Sequence, residues 1–198
     1  MKKLIAVALI ALILGAPAVR AQEPSFKNEI DVSWGAFPFQ DFIMGYGAIL
    51  LTIFSLGSLS FENGFSTGTV NVEYYRTLNK TFAVGGIVNG LFAGADVMKR
   101  QSGEYVKDGE LRYGSIFLMP SAKAYWFRHS HFSMYSKLGL GAGLFFSAGS
   151  SSEDLPEFIP AAQLSPVAIE LGGDQHRGFL EIGAGMQGLL VAGYRYAF

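Results

Sequence analysis

Cysteine is absent from the sequence, which excludes disulfide bonds and a lipid-modified N-terminal cysteine. Charge is also scarce, since Asp, Glu, Lys and Arg make up 16% of the residues and the formal net charge is −1. This balance gives no electrostatic reason to expect nucleic-acid binding. Beyond the N-terminal region, no uninterrupted apolar run reaches the roughly 20 residues that a membrane-spanning helix needs, so a helical membrane protein is not expected.

The N-terminus is typical of a secretory signal peptide. Lys2 and Lys3 precede an apolar run at residues 4–16, and small residues follow it. The sequence therefore predicts a signal peptide at residues 1–21 and one exported domain at residues 22–198. The alternative is an N-terminal membrane anchor, which is disfavoured because the apolar run is too short to span a bilayer.

The remaining composition favours strands. Half of all residues are hydrophobic, 14% are aromatic, and 25 are glycine. Strands that cross a membrane need only about 9–11 residues of alternating character, which reconciles this composition with the lack of helical spans. The alternation predicts eight strands. They lie approximately at residues 28–36, 67–77, 81–96, 112–127, 131–147, 159–171, 178–187 and 189–198.

Alternation also assigns the two faces of each predicted strand. In the strand at 131–147, one face is almost wholly apolar, whereas the other carries Lys137 and several glycines. In the strand at 112–127, Phe117, Lys123 and Phe127 are expected to face inward. The residues expected to face outward include Ile116, Leu118, Leu138, Leu140 and Leu144.

The last ten residues alternate strictly, with Tyr194, Tyr196 and Phe198 on one face and Arg195 on the other. The closing stretch FLEIGAGMQGLLVAGYRYAF and the earlier stretch VEYYRTLNKTFAVGG resemble hairpins of small bacterial outer-membrane barrels. The resemblance implies an all-β fold: a closed antiparallel up-and-down transmembrane β-barrel of the OmpA- or OmpX-like class, in a Gram-negative outer membrane. It also implies contact with outer-membrane lipid. The barrel-assembly machinery would read Tyr194, Tyr196 and Phe198.

The predicted connections alternate in length, as in outer-membrane barrels with short periplasmic turns and longer outer loops. The short ones lie at residues 78–80, 128–130 and 172–177. The longer ones lie at residues 37–66, 97–111 and 148–158. An even strand number also returns the chain to the side on which it starts.

Charged residues fall on the predicted inner face. They are Asp31, Glu73, Lys123, Lys137, Glu170, Glu181 and Arg195. Because unpaired buried charges are very costly, these side chains are expected to pair or to be hydrated, and Arg195 is expected to pair with Glu170 or Glu181. A barrel of eight strands leaves room only for side chains, so a plugged interior is favoured over a charged selectivity path.

No motif for catalysis, cofactor or metal binding stands out, and none of these sites is predicted. His131 and Ser133 resemble the His-x-Ser element of outer-membrane lipid A deacylases, but no nearby carboxylate would orient the histidine. A polar turn is the favoured interpretation. His129, His131 and His176 all lie in predicted turns, so surface histidines are favoured over a metal site.

Residues 37–61 are too long and too apolar for a routine exposed loop. Their apolar residues repeat with helical spacing, which predicts a helix over residues 42–56 with Asp41 as its cap. Such a helix would be about 22 Å long, too short to cross a bilayer, but able to lie at the interface or over the barrel mouth. The alternative is additional strand and a barrel of ten strands.

The sequence predicts only the broad class of function. The favoured hypothesis is a non-enzymatic outer-membrane barrel that has a structural role or presents surface loops, with no cofactor. A porin-like conduit or binder for a small hydrophobic molecule, using residues 37–61, is the first alternative. A lipid-modifying enzyme is the second. A soluble secreted barrel also stays open, although its interior would be expected to be apolar.

Overall fold

The structure, a computed structural model, describes residues 25–148 and 156–198. The predicted signal peptide lies outside the described residues, as does most of the predicted loop at 148–158. One helix and eight strands follow one another in the described ranges. They are β1 (Asn28–Ala36), α1 (Phe39–Phe54), β2 (Leu59–Thr77), β3 (Phe82–Gln101), β4 (Glu104–Arg128), β5 (Phe132–Ala148), β6 (Glu157–Gly172), β7 (His176–Gly185) and β8 (Leu190–Ala197).

The strands form a closed antiparallel ring in which each strand pairs with the next and β8 pairs with β1. Closure is in register: Asp31 of β1 lies opposite Arg195 of β8 on one side and opposite Glu73 of β2 on the other. The predicted closed up-and-down fold with eight strands is therefore confirmed, and the alternative of ten strands is wrong. Closing the ring leaves no free strand edge around its circumference.

The ring is much taller on one side. Strands β2 to β6 contain 16–25 residues, whereas β7, β8 and β1 contain 8–10. The predicted loop at 97–111 is wrong, because β3 and β4 continue to a two-residue turn at Ser102 and Gly103. Both turn residues have positive φ, 51° and 96°, as tight hairpin turns require. Along the hairpin arms, charged residues occupy both odd and even positions, for example Lys99, Arg100 and Lys107, so simple alternation does not reveal these arms.

Helix α1 confirms that the first long connection contains a short helix. It begins three residues earlier than predicted, directly after Pro38, which is the N-cap residue and has an extended conformation. The predicted cap is wrong: Asp41 lies in the first turn and accepts a hydrogen bond from the Tyr113 hydroxyl at 3.3 Å. Gln40 is buried and Met44 packs on the cluster around Tyr113, so the helix starts over the mouth of the ring. Within the described ranges, no helix is long and apolar enough to cross a membrane.

A bulge near the end of β4 changes which residues face inward. The pairing with β5 steps from Tyr125 directly to Phe127, so Trp126 is the extra residue. The expected inward position of Phe127 is therefore wrong: its ring packs on His129 and Phe132, and Arg128 is buried instead. A second bulge, around Pro166 in β6, likewise switches the inward residues from odd to even positions.

Candidate functional site: the charged interior

Within the part of the chain that the structure describes, the interior of the ring contains ten buried charged side chains, five acidic and five basic. The structure places all seven sequence-predicted residues there, namely Asp31, Glu73, Lys123, Lys137, Glu170, Glu181 and Arg195. Three further residues join them: Glu29, Arg128 and Arg177. Glu29 lies two positions before Asp31, so alternation alone was a sufficient signal for it. Arg128 depends on the bulge at Trp126, and Arg177 was assigned to a turn that is in fact the start of β7.

Lys123 joins β4 to β1 across the interior. Its ammonium donates to Glu29 Oε1 at 2.8 Å and to Asp31 Oδ2 at 2.5 Å, and it lies 4.1 Å from the centre of the Tyr75 ring. Two carboxylates and an aromatic face thus replace the water that the ammonium loses on burial.

Lys137 forms a second centre, between β2 and β7. Its ammonium lies 3.0 Å from Glu73 Oε1 and 2.8 Å from Glu181 Oε2. Each acid has further donors: Gln187 donates to Glu73 at 2.7 Å, and Tyr135 donates to Glu181 at 2.6 Å. Paired and hydrogen-bonded in this way, the buried charges meet the condition under which burial is tolerable.

Arg195 forms the third centre, nearest the turns that join β2 to β3, β4 to β5 and β6 to β7. Its guanidinium donates to Glu170 Oε2 at 2.8 Å and to Glu29 Oε2 at 3.3 Å. Of the two partners expected for Arg195, the structure brings Glu170 to it and leaves Glu181 with Lys137. Tyr125 donates to the other oxygen of Glu170 at 3.2 Å.

Layers of uncharged side chains close the interior above these centres. Asn89 donates to Asn71 Oδ1 at 2.6 Å, and Asn71 donates to Ser33 at 3.2 Å. An apolar cluster of Ile87, Phe117, Met119, Ala161 and Met186 lies beside them, with Phe117 opposite Asn89 in the sheet. A second apolar cluster, which contains Leu91, Ala93 and Tyr113, lies nearer to helix α1. The polarity of the interior therefore falls from the turn end, which carries the charges, towards helix α1.

The two residues of the His-x-Ser element do not meet. Ser133 is buried and accepts a hydrogen bond from Arg177, whereas His131 is exposed and its Nδ1 lies 2.9 Å from Ser130 Oγ. His176 contacts the Tyr194 hydroxyl, and His129 packs on Phe127. Across residues 25–148 and 156–198, no three His, Asp or Glu residues are grouped closely enough to hold a metal ion.

The outer surface of the ring is apolar. On β5, Leu138, Leu140 and Leu144 alternate with inward residues, and Leu140 is 59% exposed. On β4, Ile116 and Leu118 do the same. The other strands contribute Ile30, Val32, Trp34, Val70, Val72, Val84, Val88, Leu171, Leu180, Ile182 and Leu190. Aromatic rings gather at the turn end of this surface, where Tyr74, Phe82, Tyr194, Tyr196 and Phe198 are exposed.

Comparison with protein-family models and with curated proteins finds no match for this chain.

Proposed function

We propose that this chain is a non-enzymatic integral outer-membrane β-barrel with a side-chain-filled polar interior, which has a structural role in the envelope or presents its outer segments. The observation that carries the proposal is the inverted distribution of polarity: ten charged side chains lie inside the ring, and apolar side chains cover its outside. Soluble proteins rarely expose contiguous apolar patches larger than a few hundred Å², because water penalises such surfaces. Lipid on the outside removes that penalty.

The predicted signal peptide and the last strand, β8, support the same proposed location in the outer membrane. A signal peptide at residues 1–21 would deliver the chain across the inner membrane. Tyr194 and Tyr196 would lie at the periplasmic interface of the membrane, where amphipathic rings are favoured. Barrel-assembly machinery is the proposed partner of β8, with Phe198 completing the aromatic row.

The tall side of the ring supports a role in presentation. Strands β3 and β4 are 20 and 25 residues long, about twice the length that a bilayer-spanning strand requires. Their distal part is polar: Lys107 lies 2.8 Å from Asp96 and 2.7 Å from Glu110. A hairpin of this length would project well beyond the membrane surface.

Cell fractionation and gel mobility test this function. We expect the chain in the outer-membrane fraction, extractable only with detergent, and migrating differently before and after heating because a closed barrel resists unfolding by cold detergent. Planar-bilayer recordings should show small or no steady conductance, since side chains fill the interior. A soluble periplasmic product without detergent would contradict the location, and large steady channels would contradict the plugged interior.

A cleft beside helix α1 favours a second candidate function, the binding of a small hydrophobic molecule. The cleft has a volume of about 310 Å³ and lies between the helix and the tall wall of β2 to β4. Met44, Phe61, Phe65 and Leu111 are among its lining residues, and Tyr113 with Asp41 supplies polar groups. A binding assay with a fluorescent fatty acid tests this candidate. Its fluorescence should be quenched by wild-type protein but not by Ala48→Trp, because the larger side chain would fill the cleft.

A further inference from the structure

A cavity at the turn end of the ring collects three buried arginines. It has a volume of about 350 Å³, and its lining includes Glu29, Arg128, Arg177 and Arg195. The three arginines are 3–5% exposed, so each guanidinium has lost most of its water. A buried guanidinium is tolerated only when carboxylates, carbonyls or bound anions replace that water.

Two of the three arginines have well-defined anionic partners. Arg195 donates to Glu170 at 2.8 Å. Arg177 lies 3.4 Å from the same Glu170 oxygen and donates to the backbone carbonyls of His129 and Ser130 at 2.7 and 2.9 Å. A single carboxylate is therefore shared by two guanidiniums.

Arg128 differs from both, because no carboxylate of the described residues lies within 4.0 Å of it. Its Nη2 is 3.5 Å from the Thr77 hydroxyl, its guanidinium carbon is 4.0 Å from the centre of the Tyr125 ring, and its Nη1 has no hydrogen-bond partner among the described residues. An aromatic face compensates a buried cation only in part.

The acids around the cavity do not relieve this imbalance. Glu29 is already shared by Lys123, at 2.8 Å, and Arg195, at 3.3 Å. Asp174 lies 3.9 Å from Arg177, but its side chain is 51% exposed and is screened by water. Among the described residues, Arg128 therefore has no carboxylate in direct contact, and it lies on the wall of a cavity large enough for a tetrahedral oxyanion.

We propose that this cavity binds a phosphate group, with Arg128 as its main ligand and Arg177 and Arg195 as the second layer of positive charge. A planar guanidinium offers several N–H donors in a fixed fork, which matches the oxygens of phosphate. The group is either free phosphate or the headgroup of a phospholipid at the adjacent membrane surface. This site goes beyond the structural role proposed above. Its affinity for a phosphate group does not depend on that role, whereas a phospholipid as the source of the phosphate rests on the proposed membrane location.

Phosphorus NMR of the protein in a detergent that contains no phosphate tests the site. Inorganic phosphate and a short-chain phosphatidic acid are titrated separately into the full-length protein, and the broadening of each phosphorus signal is followed. We expect saturable binding of one or both, and an affinity that falls about tenfold or more in Arg128→Gln, because a charge-assisted contact of roughly 1.5–3 kcal/mol is lost. The matched control is Arg76→Gln, which removes an exposed arginine on the outer face near the same end.

Each outcome of these titrations decides the proposal. Binding of both ligands identifies the phosphate group itself as sufficient, and binding of the lipid alone identifies the headgroup as its source. Absence of saturable binding in wild-type protein overturns the proposal, as does equal affinity in wild type and Arg128→Gln. If Arg128→Gln does not assemble, Arg128→Lys keeps the charge but loses the fork, and unchanged affinity in that variant overturns the proposal as well.

Discussion

Arg195 Nη1 lies 2.8 Å from Glu170 Oε2, and this contact links β8 to β6 past the intervening strand β7. Lys123 and Lys137 make equivalent links from β4 to β1 and from β5 to β2 and β7. Ion pairs therefore hold strands together that share no backbone hydrogen bonds. The interior ion pairs therefore connect strands that are not neighbours in the sheet, in addition to the backbone hydrogen bonds between neighbouring strands.

Removing one member of the Arg195–Glu170 ion pair should destabilise the barrel. We expect Glu170→Gln to lower the free energy of unfolding by about 3–5 kcal/mol, because Arg195 then keeps its charge with only one carboxylate nearby. Urea unfolding in lipid vesicles measures the change. Glu157→Gln, which alters an exposed acid at the far end of β6, is the control and should have little effect. Equal stability of the two variants would show that the pair contributes nothing.

A charge placed on the outer face should disfavour insertion. Leu140 is exposed on β5, and Leu140→Arg should cost about 2–4 kcal/mol if this position lies near the bilayer midplane. The same urea titration in vesicles measures it. Leu56→Arg, at an exposed leucine that follows helix α1 and lies off the barrel wall, should be tolerated. Normal stability of Leu140→Arg would argue against lipid at this face.

The projecting hairpin should loosen in acid. Hydrogen bonds from Asn63 and Lys107 lower the pKa of Asp96, and hydrogen bonds from Lys107 and Arg112 lower the pKa of Glu110. Groups with a lowered pKa in the folded state stabilise it above their unfolded pKa and lose that contribution as the pH falls through the folded value. The protection factors of the amides in residues 97–111, which are observed exchange rates corrected for the intrinsic rate at each pH, should therefore fall below about pH 4. Asp96→Asn should weaken this fall, and protection factors in wild type that do not change with pH would contradict the prediction.

Phe198 should contribute to closure of the ring. Its backbone N–H donates to the Asn28 carbonyl at 2.8 Å, its carbonyl accepts from Asn28 at 3.1 Å, and its ring stacks on Tyr196 with 5.9 Å between centres. Deleting Phe198 should lower the heat-modifiable fraction in isolated outer membranes, because β1 and β8 lose this backbone pair. Phe198→Tyr keeps the backbone pair and should behave nearly as wild type. An unchanged fraction after the deletion would remove Phe198 from the proposed assembly signal.

Alternation of side chains was enough to predict the strand number and the inward position of residues such as Asp31 and Lys137, whereas the closed fold was implied by the resemblance to outer-membrane barrels. It was not enough where the period breaks. Arg128 faces inward only because the bulge at Trp126 adds a residue, and Gln163 and Glu170 both face inward only because of the bulge near Pro166. A bulge depends on pairing with the neighbouring strand, so its position is not visible in one strand alone.

We expect lipid to cover the outside of the ring while side chains fill its inside. The lack of cysteine allows single labels to be placed without background substitutions. Spin labels at Leu138→Cys, Leu140→Cys and Leu144→Cys, with Glu110→Cys on the hairpin as the water-exposed reference, can be compared in reconstituted vesicles. We predict high accessibility to oxygen and low accessibility to a water-soluble nickel complex at the three leucine positions, with the reverse at position 110. Nickel accessibility at all four positions would show that water, and not lipid, covers the outer face of the ring.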